Sequence, residues 1–207
     1  MESGSWSVAL KNRQYLKTQF VSWAFLAAVL TGLSFVLVYA EDSAGFTIEQ
    51  RWLYWLPPAD LSVFIFYTTY GFAFFGLFLA FRNPGTALRL VQAYALLSLF
   101  RTITLLVVPL AAHPEMIPLD DWLLRSTVYA GRANLQDLFF SGHTATLVLF
   151  ALLIPGKYFK IGFVMAAVAV GLMLITQRVH YITDVVVAPV FATLSWWLTR
   201  QPVILLR

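Results

Sequence analysis

Cysteine is absent from all 207 residues, which excludes disulfides and thiolate metal sites. Charge is scarce. Asp, Glu, Lys and Arg make up 12% of the chain, about half of what a soluble domain carries. No lysine occurs between Lys17 and Lys157. The formal net charge is +4, but the basic residues form no single patch. They are spread over short connections between apolar blocks, which argues against a nucleic-acid partner. Apolar residues fill the rest: 60% of the chain, gathered in long runs. The bilayer is the expected solvent.

Six runs read as membrane spans, so the expected fold class is all-α, an integral bundle of six transmembrane helices. A polar, basic N-terminal segment, residues 1–19, precedes them. The spans are Phe20 to Ala40, Leu61 to Phe81, Leu88 to about Leu110, Leu138 to Ile154, Ile161 to about Thr176 and Ile182 to Leu198. The first apolar run, about 21 residues, exceeds the usual 7–15 of a signal peptide, so an uncleaved anchor is expected. The longest connection runs from Ala111 to Asp137, and Leu119 to Asn134 is expected to form a short interfacial helix. The domain reading is a cytoplasmic N-terminal segment (1–19), a membrane catalytic domain (20–200) and a cytoplasmic tail (201–207).

Six spans put both termini on one side. That side carries nine basic residues (Lys11, Arg13, Lys17, Arg82, Arg89, Lys157, Lys160, Arg200, Arg207) against the single acid Glu2. The other carries five arginines against nine acids. The positive-inside rule makes the first side cytoplasmic. Spans two, four and six then run inward, with Asp60, His143 and Asp184 near their outer ends. Arg101 lies 12 residues past Arg89, about 18 Å up its span at 1.5 Å per residue, and Arg178 about 26 Å up the fifth. The unusual polar groups thus converge in the outer half of the membrane. Each costs roughly 2.5–3.5 kcal/mol at a helix centre, so each needs a reason.

His180 and Asp184 stand at i and i+4, which puts a carboxylate within reach of an imidazole. The carboxylate fixes the tautomer and makes the other ring nitrogen a better nucleophile or base. His143 follows Ser141 and Gly142 at the mouth of the fourth span. Spans four and six both begin on the outer side, where their N–H groups favour anions. Arg101 and Arg178 add forks suited to phosphate oxygens. Two imidazoles, an acid, arginines and helix N-termini suit phosphoryl transfer: one imidazole attacks phosphorus, the other protonates the leaving alcohol. Each residue also has a plainer reading. Ser141 or Asp184 can cap a helix, Arg101 can pair with an acid, and Arg178 can snorkel. Two histidines and an aspartate can also ligate zinc or iron, but their separation and the nearby arginines disfavour a cation. His113, before Pro114, reads as non-catalytic.

These residues resemble the lipid phosphate phosphatase superfamily, with its Ser-Gly-His and later His-x-x-x-Asp motifs. They are most similar to its sphingomyelin synthase and sphingolipid synthase-like branch. Four blocks carry the resemblance in order: Pro57-Pro58-Ala59-Asp60; Arg101-Thr102-Ile103-Thr104; Leu138-Phe139-Phe140-Ser141-Gly142-His143-Thr144; and His180-Tyr181-Ile182-Thr183-Asp184-Val185. The Lys-x6-Arg-Pro signature of the phosphatase branch is missing, and Leu174 stands where that branch has an arginine six residues before its second histidine. The resemblance implies His180 as nucleophile assisted by Asp184, a phosphohistidine-type intermediate, and His143 as acid and then base. Arg101, Arg178, Ser141, Gly142 and Asp60 would serve the phosphate or headgroup. No cofactor or metal is implied.

The expected activity is transfer of a phospho-headgroup from a phospholipid donor to a lipid alcohol, ceramide or diacylglycerol. The alternative is a lipid phosphate phosphatase with water as acceptor. A third class is a non-catalytic lipid-binding or scaffold protein. The expected protein is multi-pass, with its site on the extracytoplasmic face.

Overall fold

Asparagine and serine decide where several helices begin. Asn12 accepts hydrogen bonds from the backbone of Gln14 and Tyr15, and Asn83 from Gly85 and Thr86 ahead of a helix that opens on Pro84. Both satisfy N–H groups that no helical turn can. Structural description rests on a computed structural model, covering residues 5–50, 55–119 and 135–200. Among these there are seven helices: α1 (Trp6–Ala9), α2 (Arg13–Glu41), α3 (Ser62–Phe81), α4 (Pro84–Val107), α5 (Gly142–Leu153), α6 (Lys157–Thr176) and α7 (Ile182–Arg200). The protein is all-helical there, apart from one isolated bridge between Phe46 and Leu110. The interfacial helix expected over 119–134 and the tail at 201–207 fall outside the described residues, Leu119 excepted.

Five helices, α2, α3, α4, α6 and α7, are long and apolar enough to cross a membrane. Several such helices in one chain point to a multi-pass membrane protein. Two expectations shift. The first span begins at Arg13 rather than Phe20, because the Asn12 cap lets the helix start among polar residues. The fourth is shorter than expected, 12 residues or about 18 Å. Ser141 caps α5, and the carbonyls just before it are held by side chains of α4: Thr104 Oγ1 donates to Phe139, and Arg101 to Phe140. A short helix is tolerated here because α5 packs against α3, α4, α6 and α7.

The main core is built around α5. Phe140, Leu147, Leu149 and Phe150 pack with Ile65, Leu97, Phe163, Val170, Leu174, Ala188 and Ala192, all buried. Phe140 stacks on Phe191 with ring centroids 4.4 Å apart, and Phe150 on Phe163 at 5.5 Å. α2 stands apart from this core and lies along α4, through Leu26 against Val91 and Ala95, and Leu33 and Leu37 against Leu105. This offset leaves a cleft between α2 and α3.

Candidate active site

The two histidine motifs meet through the backbone. Ser141 N–H donates to the Asp184 carbonyl at 3.1 Å, tying the start of α5 to the first turn of α7. Asp184 is fully buried and His180 is 5% exposed. His180 Nδ1 lies 3.5 Å from Asp184 Oδ2. That is ion-pair distance, longer than a good N–H···O bond, as in many unliganded sites. The same carboxylate accepts the Tyr181 N–H at 3.0 Å and the Thr183 hydroxyl at 3.2 Å. Asp184 is therefore a helix cap and a neighbour of the imidazole at once. With Nδ1 turned to the acid, Nε2 is the nitrogen left for chemistry.

The chain reaches His180 through an unusual turn. α6 ends at Thr176, and Arg178 takes a positive φ of 61°. This left-handed residue closes the helix: Val179 and His180 both donate to the Leu174 carbonyl, at 3.0 and 3.4 Å. A non-glycine residue there is uncommon. The arginine is held in place, its Nη2 donating to Leu56 O at 2.7 Å and its Nε 3.9 Å from Glu115. Gln177 beside it is wholly buried. It receives the Leu61 N–H at 2.9 Å and donates to Ser62 Oγ at 2.8 Å and to the Ile117 carbonyl at 3.2 Å. One amide thereby joins the end of α6 to the start of α3 and to the 113–118 loop.

His143, the second residue of α5, faces a different space. A cavity of about 730 Å³ lies between α2, α3, α4 and α5. One end is polar, with Arg101, Asp137, Gly142, His143 and Thr146. The remainder is mostly apolar, with Trp23, Leu26, Leu33, Leu77 and Leu90 among its walls, but hydroxyl-bearing Thr31, Ser34, Thr69, Tyr94 and Ser98 line it too. Along α2 the lining spans Trp23 to Leu37, about 21 Å at helical rise. Tyr70 meets the His143 ring edge-on, centroids 6.5 Å apart. Arg101 binds the Asp137 carboxylate and the Phe140 carbonyl, fixing the segment that leads into α5. Gly142 makes this approach close: a Cβ there would stand 3.0 Å from Arg101 Nη1 and 3.2 Å from Cζ, so the guanidinium would have to shift by a few tenths of an ångström.

Not every expected site residue gathers here. His143, Arg101 and Gly142 line the cavity. Ser141 and Asp184 are buried in the seam between α5 and α7, and His180 does not line the cavity. Arg178 points its contacts at Leu56 and Glu115. Asp60 caps the start of α3, accepting the Ser62 N–H at 3.0 Å, and that bond holds its carboxyl below the usual range. Asp137 and Gln177 were not singled out from the sequence. Asp137 had a signal, since an arginine inside a membrane helix calls for an acid and Asp137 lies at the mouth of the next apolar run. Gln177 had none, because its partners lie some 60 and 115 residues away.

No curated protein and no solved structure gives a significant match to this chain. A family match covers a third of the chain and includes His143, His180 and Asp184, leaving α2, α3 and α4 outside it. Residues 136–201 match the family model for the PAP2 superfamily C-terminal region, and this match supports membership of the PAP2 superfamily.

Proposed function

We propose that this protein is a membrane phosphotransferase. It moves a phospho-headgroup from a phospholipid donor to a lipid alcohol, ceramide or diacylglycerol, in the manner of the sphingomyelin synthase-like enzymes. The PAP2 family implies phosphatase or phosphotransferase activity on lipid phosphates. The observation that carries the finer reading is the apolar cavity whose polar end holds His143 and Arg101, next to the seam that holds His180 and Asp184. Such a space suits a lipid chain with its phosphate at the histidines.

In the proposed cycle His180 Nε2 attacks phosphorus and the bond to the lipid oxygen breaks. His143 gives its proton to the departing alkoxide. The acceptor alcohol then enters, His143 takes its proton, and the alkoxide attacks phosphorus to release His180. Asp184 keeps the His180 ring oriented and balances its charge. Arg101, already committed in part to Asp137, offers its remaining N–H donors to the phosphoryl oxygens. The phosphate must lie between the two rings, so its binding site reaches past the Ser141–His143 turn toward His180.

Purified protein given headgroup-labelled phospholipid, with and without ceramide or diacylglycerol, tests this. Transfer predicts label on a second lipid only when the acceptor is present. Label released solely as a water-soluble phospho-compound or phosphate would replace this reading with hydrolysis.

A further inference from the structure

α2 ends on two acids, Glu41 and Asp42, and has no base in its last turn. Carboxylates are disfavoured there, where a helix presents unpaired carbonyls and the negative end of its dipole. Glu41 is compensated by a segment far along the chain. Its Oε2 accepts the backbone N–H groups of Leu135 at 2.9 Å and Gln136 at 3.1 Å. Its own carbonyl accepts from Gln136 Nε2 at 3.3 Å. These bonds fasten the outer end of α2 to the segment that leads into α5.

The next residue is Asp137, the partner of Arg101. Asp137 takes Arg101 Nη2 on its carboxylate and, at 3.4 Å, on its carbonyl, while Phe140 O takes Nη1. Among the described residues these bonds use three of the five guanidinium N–H donors. The other two, on Nε and Nη1, belong to the edge that lies against Gly142, where a Cβ would stand 3.0 Å from Nη1 and 3.6 Å from Nε. His143 follows Gly142 directly. A planar fork has distinguishable edges. The edge that Asp137 occupies decides which donors are left beside His143, and Glu41 holds the backbone that carries Asp137.

We infer that Glu41 is a positioning residue for phosphate binding. Its carboxylate sets the 135–137 segment so that Asp137 engages the Nη2 side of Arg101, which leaves Nε and Nη1 to the phosphoryl oxygens of the substrate. Glu41 acts through Asp137 and Arg101 alone. The inference rests on the lipid-phosphate reading of the same site.

The full chain in nanodiscs, given headgroup-labelled phospholipid, tests it. Glu41→Ala should lower kcat/KM roughly 10-fold, the scale of one hydrogen bond to a charged group. Glu41→Gln, whose amide oxygen can accept the same two N–H groups, should restore most of it. The deciding measurement repeats Glu41→Ala in an Arg101→Lys background. An ammonium has no edges to choose between, so there the loss should shrink to within about twofold. A merely structural Glu41 would cost as much in either background. Unchanged kcat/KM in Glu41→Ala, or an equal loss in both backgrounds, overturns the inference. Should Glu41→Ala not fold, Glu41→Asp, one methylene shorter, takes its place: a smaller loss confined to the Arg101 protein supports the inference, and no loss overturns it. If no lipid is turned over by any of these proteins, the functional reading fails independently. In that case, or if Arg101→Lys alone is inactive, binding of fluorescent phosphatidic acid to the same proteins decides. Weakening by the Glu41 substitution that Arg101→Lys abolishes supports the inference; equal affinity, or equal weakening in both backgrounds, refutes it.

Discussion

Asp184 serves several groups with one carboxylate, and its neighbours set what each substitution should do. Its Oδ2 takes the Tyr181 N–H and faces His180. Under the proposed mechanism His143→Ala, His180→Ala and Asp184→Asn each lower turnover by roughly 10²–10⁴-fold. The asparagine keeps one acceptor for Tyr181, so the folded state should survive. Thermal unfolding in detergent checks this; a collapse of the midpoint in these variants would assign the residues to structure. Asp137 should behave oppositely. It balances Arg101 in a nearly closed setting, so Asp137→Ala strands a cation and costs about 3–5 kcal/mol of stability. A midpoint equal to the native one would show that the pair contributes nothing. The histidines, Asp184 and Arg101 were legible in the sequence because ionisable residues in apolar runs demand explanation. Their partners were less so: Arg101 called for an acid without naming Asp137, and Arg178 with Leu56 joins points far apart in the chain.

Helix contacts decide the next level. At Gly171 of α6 a Cβ would stand 2.6 Å from Val185 Cγ1, so α6 and α7 approach as closely as they do only because that position is bare. Gly171→Ala should destabilise by about 1–3 kcal/mol through overpacking. Adding Val185→Ala should return part of the loss, a coupling that a double-mutant cycle reads directly. The loop beside this junction carries a pH response. His113 Nδ1 accepts the Glu115 N–H at 3.1 Å, which requires the neutral ring. Burial, and then the Arg178 charge, push its pKa below the ordinary 6.5, against a smaller pull from Glu115. A depressed folded value means the unfolded chain binds the proton more readily. The stability contribution is therefore complete above about pH 6.5 and is lost as pH falls through the lower folded value. Amide exchange over Glu115–Ile117 should quicken between pH 7.5 and 5.5 beyond its intrinsic change, and should not do so in His113→Asn. Equal behaviour of the two proteins would remove His113 as the cause. Span positions were legible from hydropathy to within a turn or two. The short α5 was not, because an apolar run looks the same whether its first residues are helical or pinned as extended chain by a neighbour's side chains.

For the whole molecule, the loop charges predict which face is outside, and the lack of cysteine makes the test clean. Trp55, 91% exposed before α3, and Tyr158, 87% exposed at the start of α6, lie at opposite ends of the bundle. A membrane-impermeant maleimide added to intact cells should label Trp55→Cys at once and Tyr158→Cys only after permeabilisation. The reverse pattern would invert the topology and move the candidate site to the cytoplasmic face. The division of the chain was only half visible in its residues. The histidine motifs marked the C-terminal third, whereas most of the cavity wall built by α2, α3 and α4, apart from the Arg101 block, consists of residues outside any motif, many of them apolar side chains whose spacing could equally face lipid. The Ser141–Asp184 bond gives that division a meaning for how such proteins change. It joins two main-chain atoms, so no substitution short of proline at 141 deletes it, and the spacing of the candidate chemical groups is inherited with the path of the chain itself. The cavity wall has no such guarantee. Under the proposed function, drift in α2, α3 and α4 can therefore retune which lipid is held while the candidate groups of α5 and α7 stay in register.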